Sequence, residues 1–149
     1  MSLYLDASVL VALLIHDSLT EPAEALLRSD PQPLILSDFA AAEFASAVAR
    51  RVRTKDLTAT EARVAFTTLD LWGARATRRV ETIGADVAAA AAFLRRLDLA
   101  LRTPDALNIA IAQRLDATMV TFDRKMAAAA RQLGLPTVPD RAAHSRVGA

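Results

Sequence analysis

An α/β chain, folded as a three-layer α/β/α sandwich with a mainly parallel central sheet, is predicted by three features of the sequence. Short apolar runs rich in β-formers recur over residues 3–5, 34–36 and 118–122, as expected of strands buried on both faces. Stretches of helical periodicity lie between them, and strands alternating with helices imply parallel pairing through crossovers. The first and third of these runs end at carboxylates, Asp6 and Asp123, and ligands of parallel sheets bind beyond the carboxyl ends of the strands.

The elements follow in order. The first strand stops at Asp6, with Ser8 two residues on, and 9–15 continues as a helix. A second short helix is predicted over 21–27, and Asp30, Pro31 and Pro33 make a turn. After the 34–36 strand, Ser37 or Asp38 caps a helix ending near Arg53. Phe44, Val48 and Val52 form its core stripe at i, i+4 and i+8. Glu43 lies beside that stripe, with Ala47 and Arg50 on its own side, so pairing with Arg50 is one reading. Thr58 and Glu61 form a capping box that opens a helix reaching Ala76. A short strand is predicted over 80–83, and after Gly84 a helix over 85–97.

Residues 102–125 organise the second half of the chain. Thr103 is the predicted N-cap and Pro104 the first helical residue, which puts Asp105 in the first turn. Leu107, Ile109, Ala110, Ile111 and Leu115 make this helix apolar over most of its circumference, hence buried. The 118–122 strand and Asp123 come next, then a helix over 126–133, a stop at Gly134, and an edge strand at Thr137 and Val138 flanked by prolines. One domain is expected over 1–139, with 140–149 as a loose tail.

Composition removes several function classes. Without cysteine there are no disulfides, thiolate nucleophiles or cysteine zinc sites. The hydrophobic content of 53% is high but largely alanine. No apolar run reaches the roughly 18 to 20 residues of a membrane span, and no signal-peptide pattern frames 9–15. A cytoplasmic location is the default. The 18 basic and 17 acidic residues nearly cancel. If four acids converge on one site, the remaining 13 face 18 bases, a surface excess suited to a polyanion. On charge alone, however, the arginines read as an ordinary solvated surface.

Four acids are candidates for one cluster: Asp6, Glu43, Asp105 and Asp123. Singly each has a plain structural role, as turn residue, ion-pair partner, first-turn helix acid and loop acid. Asp6 and Glu43, however, are embedded in apolar sequence, and a buried unpaired carboxylate is costly without a compensating cation. Hard divalent cations meet that need: Mg²⁺ is held by one or two carboxylates and several waters, and Mn²⁺ takes the same ligands. Such ions polarise a phosphoryl group and activate water. His16 ends an apolar run and His144 lies in the tail, so neither reads as a ligand. Asp98 and Asp116 read as surface caps. The scattered glycines form no phosphate-binding fingerprint, and Ser8 lacks a histidine partner for a triad. Trp72, with Phe66 and Leu69, reads as helix core before a base-stacking platform, and a partner surface is the next reading.

With LYLDASVLVALL at the start, SDFAAAEFASAV in the middle and RTPDALNIAIAQRLDATMVTFDRKMAAAARQLGL after them, the chain resembles a PIN-domain ribonuclease. More narrowly, it resembles a VapC-type toxin of a type II toxin–antitoxin system. The likeness runs from Leu3 to Pro139. It implies that Asp6, Glu43, Asp105 and Asp123 bind Mg²⁺ or Mn²⁺ in an endoribonuclease site, supported by Ser8, Asn108 and Thr121. It also implies an RNA substrate, a small antitoxin partner and a homodimer or larger toxin–antitoxin assembly. Arg50, Arg51, Arg53 and Lys55 are candidate RNA contacts, against the alternative of a solvated helix end favoured by its dipole. Two other classes stay open. A phosphotransfer domain would use Asp6 as nucleophile or phosphoacceptor, although haloacid-dehalogenase-like enzymes want an acid where Ser8 stands, and the acidic pair of receiver domains is missing. A non-catalytic partner-binding module would carry the acids as vestiges.

Overall fold

Residues 1–140 are described by the computed structural model; the predicted tail beyond them, His144 included, lies outside the described residues. Its sheet starts from solid apolar strands that can be buried on both faces. β1 (Leu3–Leu5) lies at the centre, flanked by β2 (Leu34–Ser37) and β4 (Thr118–Val120), with β3 (Thr77–Val80) and β5 (Thr137–Val138) at the edges. The order is β3-β2-β1-β4-β5 and every pairing is parallel. The predicted three-layer sandwich is therefore present.

Side-chain alternation divides the core. Leu3, Leu5, Leu36 and Val120 face one layer, built from α1 (Ala7–Leu14), α2 (Thr20–Ser29), α3 (Asp38–Arg53) and α4 (Ala59–Ala76). Tyr4, Ile35 and Met119 face the other, built from α5 (Gly84–Arg95), α6 (Thr103–Arg114) and α7 (Arg124–Gln132). The expected stripe holds: Phe44 and Val48 are fully buried, Val52 partly so, and Phe44 meets Phe66 edge-on with ring centroids 6.4 Å apart. Trp72 packs against the same core, as the core reading predicts. Among the described residues no helix is long and apolar enough to cross a membrane.

This topology positions the site. From β1 the chain builds outward to β2 and β3 with helices on one face. It then crosses under the sheet through α5 and α6 to insert β4 on the far side of β1. The order reverses between β1 and β4, and at such a switch point the crossovers on either side part and leave a crevice beyond the carboxyl ends.

Several helix ends shift by one or two residues from expectation, to Ala7–Leu14, Thr20–Ser29, Gly84–Arg95 and Arg124–Gln132, and three further boundaries differ. The strand predicted over 80–83 is instead β3 at Thr77–Val80. It is an edge strand whose Arg78 and Arg79 point to solvent, so a search for apolar runs passes over it; exposed charge on an edge also blocks further pairing. Thr103 is not the N-cap of α6. Arg102 holds that place, because the Asp105 carboxylate reaches back to accept from the Arg102 backbone N–H at 3.2 Å. The predicted 118–122 strand ends at Val120, after which Thr121 and Phe122 turn towards Asp123. Gly134, at φ +81°, does stop the last helix.

One ion pair with a buried carboxylate ties α5 to α6 in the second helical layer. Asp86, 1% exposed, accepts from Arg114 Nε at 2.7 Å and Nη2 at 3.0 Å, and from the Ile83 backbone N–H at 2.9 Å. Burial is the largest influence and would raise the Asp86 pKa, but the Arg114 bonds, the Ile83 N–H and the Arg114 charge together outweigh it and hold the carboxyl below its usual range. Arg114→Ala is expected to lower unfolding free energy by about 2–3 kcal/mol, somewhat under the roughly 3–5 of a fully buried pair because Arg114 is partly exposed. Because the Asp86 pKa is lowered by folding, this contribution is present above the ordinary aspartate range and fades as pH falls through the lowered value. Urea unfolding at neutral and acid pH measures both; a loss under about 1 kcal/mol at neutral pH would class the pair with surface ion pairs.

Candidate functional site

Asp6 ends β1 and caps α1, so the strand delivers its carboxylate to the switch point and the helix holds it there. Oδ1 accepts from the Val9 backbone N–H at 3.1 Å and from Ser8 Oγ at 2.6 Å, and Oδ2 accepts from Thr121 Oγ1 at 2.6 Å. Both hydroxyls also accept from the backbone of the loop after β4: Ser8 Oγ from the Phe122 N–H at 3.0 Å and Thr121 Oγ1 from the Asp123 N–H at 3.0 Å. Ser8 and Thr121 thus bind the carboxylate of one strand end to the backbone of the other. Asp123 is the N-cap of α7, its Oδ1 accepting from Lys125 and Met126 N–H groups at 3.0 and 3.1 Å. A carboxylate there suits the helix dipole.

Glu43 and Asp105 arrive from the two helical layers. Glu43, part-buried on the second turn of α3, accepts from Asn108 Nδ2 at 2.6 Å. It does not pair with Arg50. Asn108 sits one turn beyond Asp105 on α6, is 2% exposed, and also donates to the Pro104 carbonyl at 3.0 Å while its Oδ1 accepts from the Tyr4 hydroxyl at 2.7 Å. Asp105 approaches the highly exposed Arg102 guanidinium only at 3.9 Å, a contact of little worth in water.

The carboxylates feel one another. Burial pushes the Asp6 pKa up, the bonds from Ser8, Thr121 and Val9 hold it down, and the Asp123 charge pushes it up again. Burial likewise raises Glu43; Asn108 opposes this, and the charges of Asp6 and Asp105 add to it. Among the described residues Asp6, Glu43 and Asp123 form no ion pair with lysine or arginine. Asp123 thus acts on Asp6, and Asp6 and Asp105 act on Glu43, while among the described residues the one cation within ion-pair distance of any of the four is the exposed Arg102 beside Asp105.

Among the described residues no three His, Asp or Glu side chains are close enough, as they stand, to hold one ion together. The donors are nonetheless all oxygen and carry excess negative charge. Mg²⁺, which keeps several waters and takes one or two carboxylates directly, fits such a set better than an ion needing a closed protein cage.

The remaining predicted residues divide. Arg51 is committed to Asp17, its Nη2 3.4 Å from Oδ2. Arg50, Arg53 and Lys55 are exposed at the C-terminal end of α3, whose N-terminus is the end facing the carboxylates. Arg53 is ten residues past Glu43, about 15 Å along the helix, so the helix-end reading fits this quartet better than a phosphate rim. Asp98 pairs with Arg96 at 2.9 Å, and Asp116 is an exposed turn residue at φ 50°, both as expected of surface acids. Two cations escaped the sequence reading. A cleft of about 800 Å³ opens beside Thr121 and Asp123, between α2 and α7, with Leu26 and Phe122 in its wall and Arg124 and Arg131 beside them. Arg124 adjoins Asp123 in the chain, but Arg131 reaches the cleft only through the two further turns of α7.

Because folding raises the Glu43 pKa, its ionised form opposes folding at neutral pH, and stability falls as pH rises from the ordinary glutamate range through the raised value. Glu43→Gln is therefore expected to raise the thermal midpoint at pH 7, with the gain vanishing at acid pH where the wild-type carboxyl is already neutral. Melting curves across pH test this; a destabilised variant at pH 7 would show that the Glu43 charge is compensated.

A model for the PIN domain matches residues 3–132. No curated protein matches the chain by sequence. Among solved structures, FitAcB from Neisseria gonorrhoeae superposes with a TM-score of 0.71 at 20% identity, covering 91% of this chain and 95% of that one. VapC20 from Mycobacterium tuberculosis, described as a sarcin–ricin loop cleaving toxin, gives 0.69 at 20% identity over 85% and 94%. VapBC2 from Rickettsia felis, bound to a DNA fragment from its promoter, gives 0.65 at 18% identity over 92% and 97%. At these identities the likeness is one of fold.

Proposed function

The chain belongs to the PIN domain family, and on that premise we propose that it is a VapC-type endoribonuclease, the toxin of a toxin–antitoxin pair, dependent on Mg²⁺ or Mn²⁺. The observation that supports this reading is the set of carboxylates at the carboxyl edge of β1 that act on one another, Asp123 on Asp6 and both Asp6 and Asp105 on Glu43, with burial and this repulsion raising Asp6 and Glu43. The fold shared with VapC20, described as a sarcin–ricin loop cleaving toxin, supports the toxin reading.

In this reading Asp6, Glu43, Asp105 and Asp123 would hold the ion. When bound, the ion polarises a phosphoryl oxygen and lowers the pKa of water enough to supply a nucleophile. Ser8 and Thr121 fix both oxygens of Asp6, so that carboxylate need not reorganise as charge develops. Asn108 fixes Glu43 by donating to its Oε1 at 2.6 Å. Arg124, beside Asp123 at the cleft, is placed to meet the backbone of an RNA strand. The partners that accompany this reading are an RNA substrate, a small antitoxin and a second copy of the chain, without a membrane.

The phosphotransfer alternative fares worse, since Asp6 is 2% exposed with both oxygens engaged, unlike a nucleophile awaiting a phosphoryl group. The non-catalytic module draws support from the absence, among the described residues, of three acids close enough to share an ion.

Purified protein is expected to cleave single-stranded RNA with Mn²⁺ or Mg²⁺ and to stop on chelation. Asp6→Asn and Asp105→Asn are each expected to lose on the order of a hundredfold or more in rate. Gel assays with both folded variants decide it: activity persisting in both would overturn the assignment, and wild-type protein that neither cleaves nor binds millimolar Mn²⁺ by calorimetry would favour the module.

A further inference from the structure

Tyr4, at the middle of β1, is fully buried among Ile35, Ile109 and Met119, yet its hydroxyl is a junction between three elements. It lies 2.7 Å from Ser37 Oγ at the end of β2 and 2.7 Å from Asn108 Oδ1 on α6. Asn108 in turn reaches Glu43 on α3.

The protons in this chain can be assigned one by one. Asn108 Oδ1 can only accept, so the single Tyr4 hydroxyl proton is donated to it. Ser37 Oγ already accepts from the Ala40 N–H at 2.9 Å, and its own proton goes to the Tyr4 oxygen. The two protons of Asn108 Nδ2 go to Glu43 Oε1 at 2.6 Å and the Pro104 carbonyl at 3.0 Å. Turning the amide over would set Oδ1 against both of those acceptors, two repulsive contacts in a buried place. Among the described residues no buried side-chain N or O lacks a partner. The chain thus runs in one direction, from Ser37 through Tyr4 and Asn108 to Glu43, and the tyrosine proton sets that direction.

We propose that Tyr4 is a positioning residue for Glu43, acting through Asn108. Its hydroxyl holds the amide in the one orientation that presents a donor to the carboxylate, across the core between the two helical layers. The assignment rests on the reading of Glu43 as a site carboxylate, but the link from Tyr4 to Asn108 is measurable without it.

Tyr4→Phe removes one oxygen and keeps the ring that packs the core. In the wild-type protein the Asn108 side-chain amide is expected to give dispersed, slowly exchanging NMR resonances, and in Tyr4→Phe these should shift and exchange faster. Mn²⁺ binding, followed by the paramagnetic resonance signal of free Mn²⁺, should weaken roughly three- to tenfold in Tyr4→Phe, the worth of one hydrogen bond. Asn108→Ala should weaken it at least as much, and the double variant no further, because the tyrosine acts through the amide. Losses that add would reveal a packing role, and Asn108 resonances unchanged by Tyr4→Phe would overturn the proposal. Wild-type protein that binds no Mn²⁺ would instead count against the nuclease reading and leave the NMR comparison to decide the role of Tyr4. Should Tyr4→Phe fail to fold, the wild-type Tyr4 hydroxyl proton answers alone: a slowly exchanging proton with a cross-peak to the Asn108 amide is expected, and a rapidly exchanging one would overturn the link.

Discussion

The carboxylate of Asp6 is the point on which both the sheet and the site depend. It is held by three donors, and the two hydroxyls among them also receive backbone N–H groups from the loop after β4. A single side chain thereby joins the strand that starts the fold to the strand inserted last into the core of the sheet. In a doubly wound sheet those two strands flank the reversal of strand order, where crossovers on opposite faces leave a crevice. The same bonds that close the sheet at this place hold a buried carboxyl group beside the switch point.

This arrangement sets stability against function. Folding removes Asp6 and Glu43 from water and brings further carboxylates towards them, and no arginine or lysine among the described residues pairs with them. Elsewhere the chain does use such pairing: the buried Asp86 is met by Arg114 in a two-point contact. Uncompensated carboxylates at the switch point and a compensated one in the first turn of α5 have opposite consequences, raised pKa values in the first case and a lowered one in the second. Strain of the first kind is retained where a site needs it, and a cation arriving from solvent would relieve it.

Much of this was legible from residue order. β1, β2 and β4 announce themselves because strands buried on both faces are continuous apolar runs, and Asp6 and Glu43 stand out because their neighbours are apolar. β3 was misplaced because an edge strand needs no such run and carries arginines instead. The cap of α6 was misread because the rule favouring threonine competes with a carboxylate three residues further on, and here the carboxylate prevailed. The roles of Tyr4 and Arg114 could not be read locally at all. Tyr4 finds its partners 33 and 104 residues away, and Arg114 finds Asp86 at a separation of 28. A buried tyrosine does imply some partner for its hydroxyl, but only the fold says which. Arg131 reaches the cleft beside Asp123 by the geometry of α7, not by nearness in sequence.

The central claim is that the carboxyl edge of β1 and β4 is a divalent-cation site. Crystals grown with Mn²⁺ and measured for its anomalous scattering test it most directly. A peak is expected beside Asp6, Glu43, Asp105 and Asp123, with no peak there in Asp6→Asn crystals. A peak elsewhere in the molecule, or none in crystals whose wild-type protein is well ordered at these four residues, would contradict it.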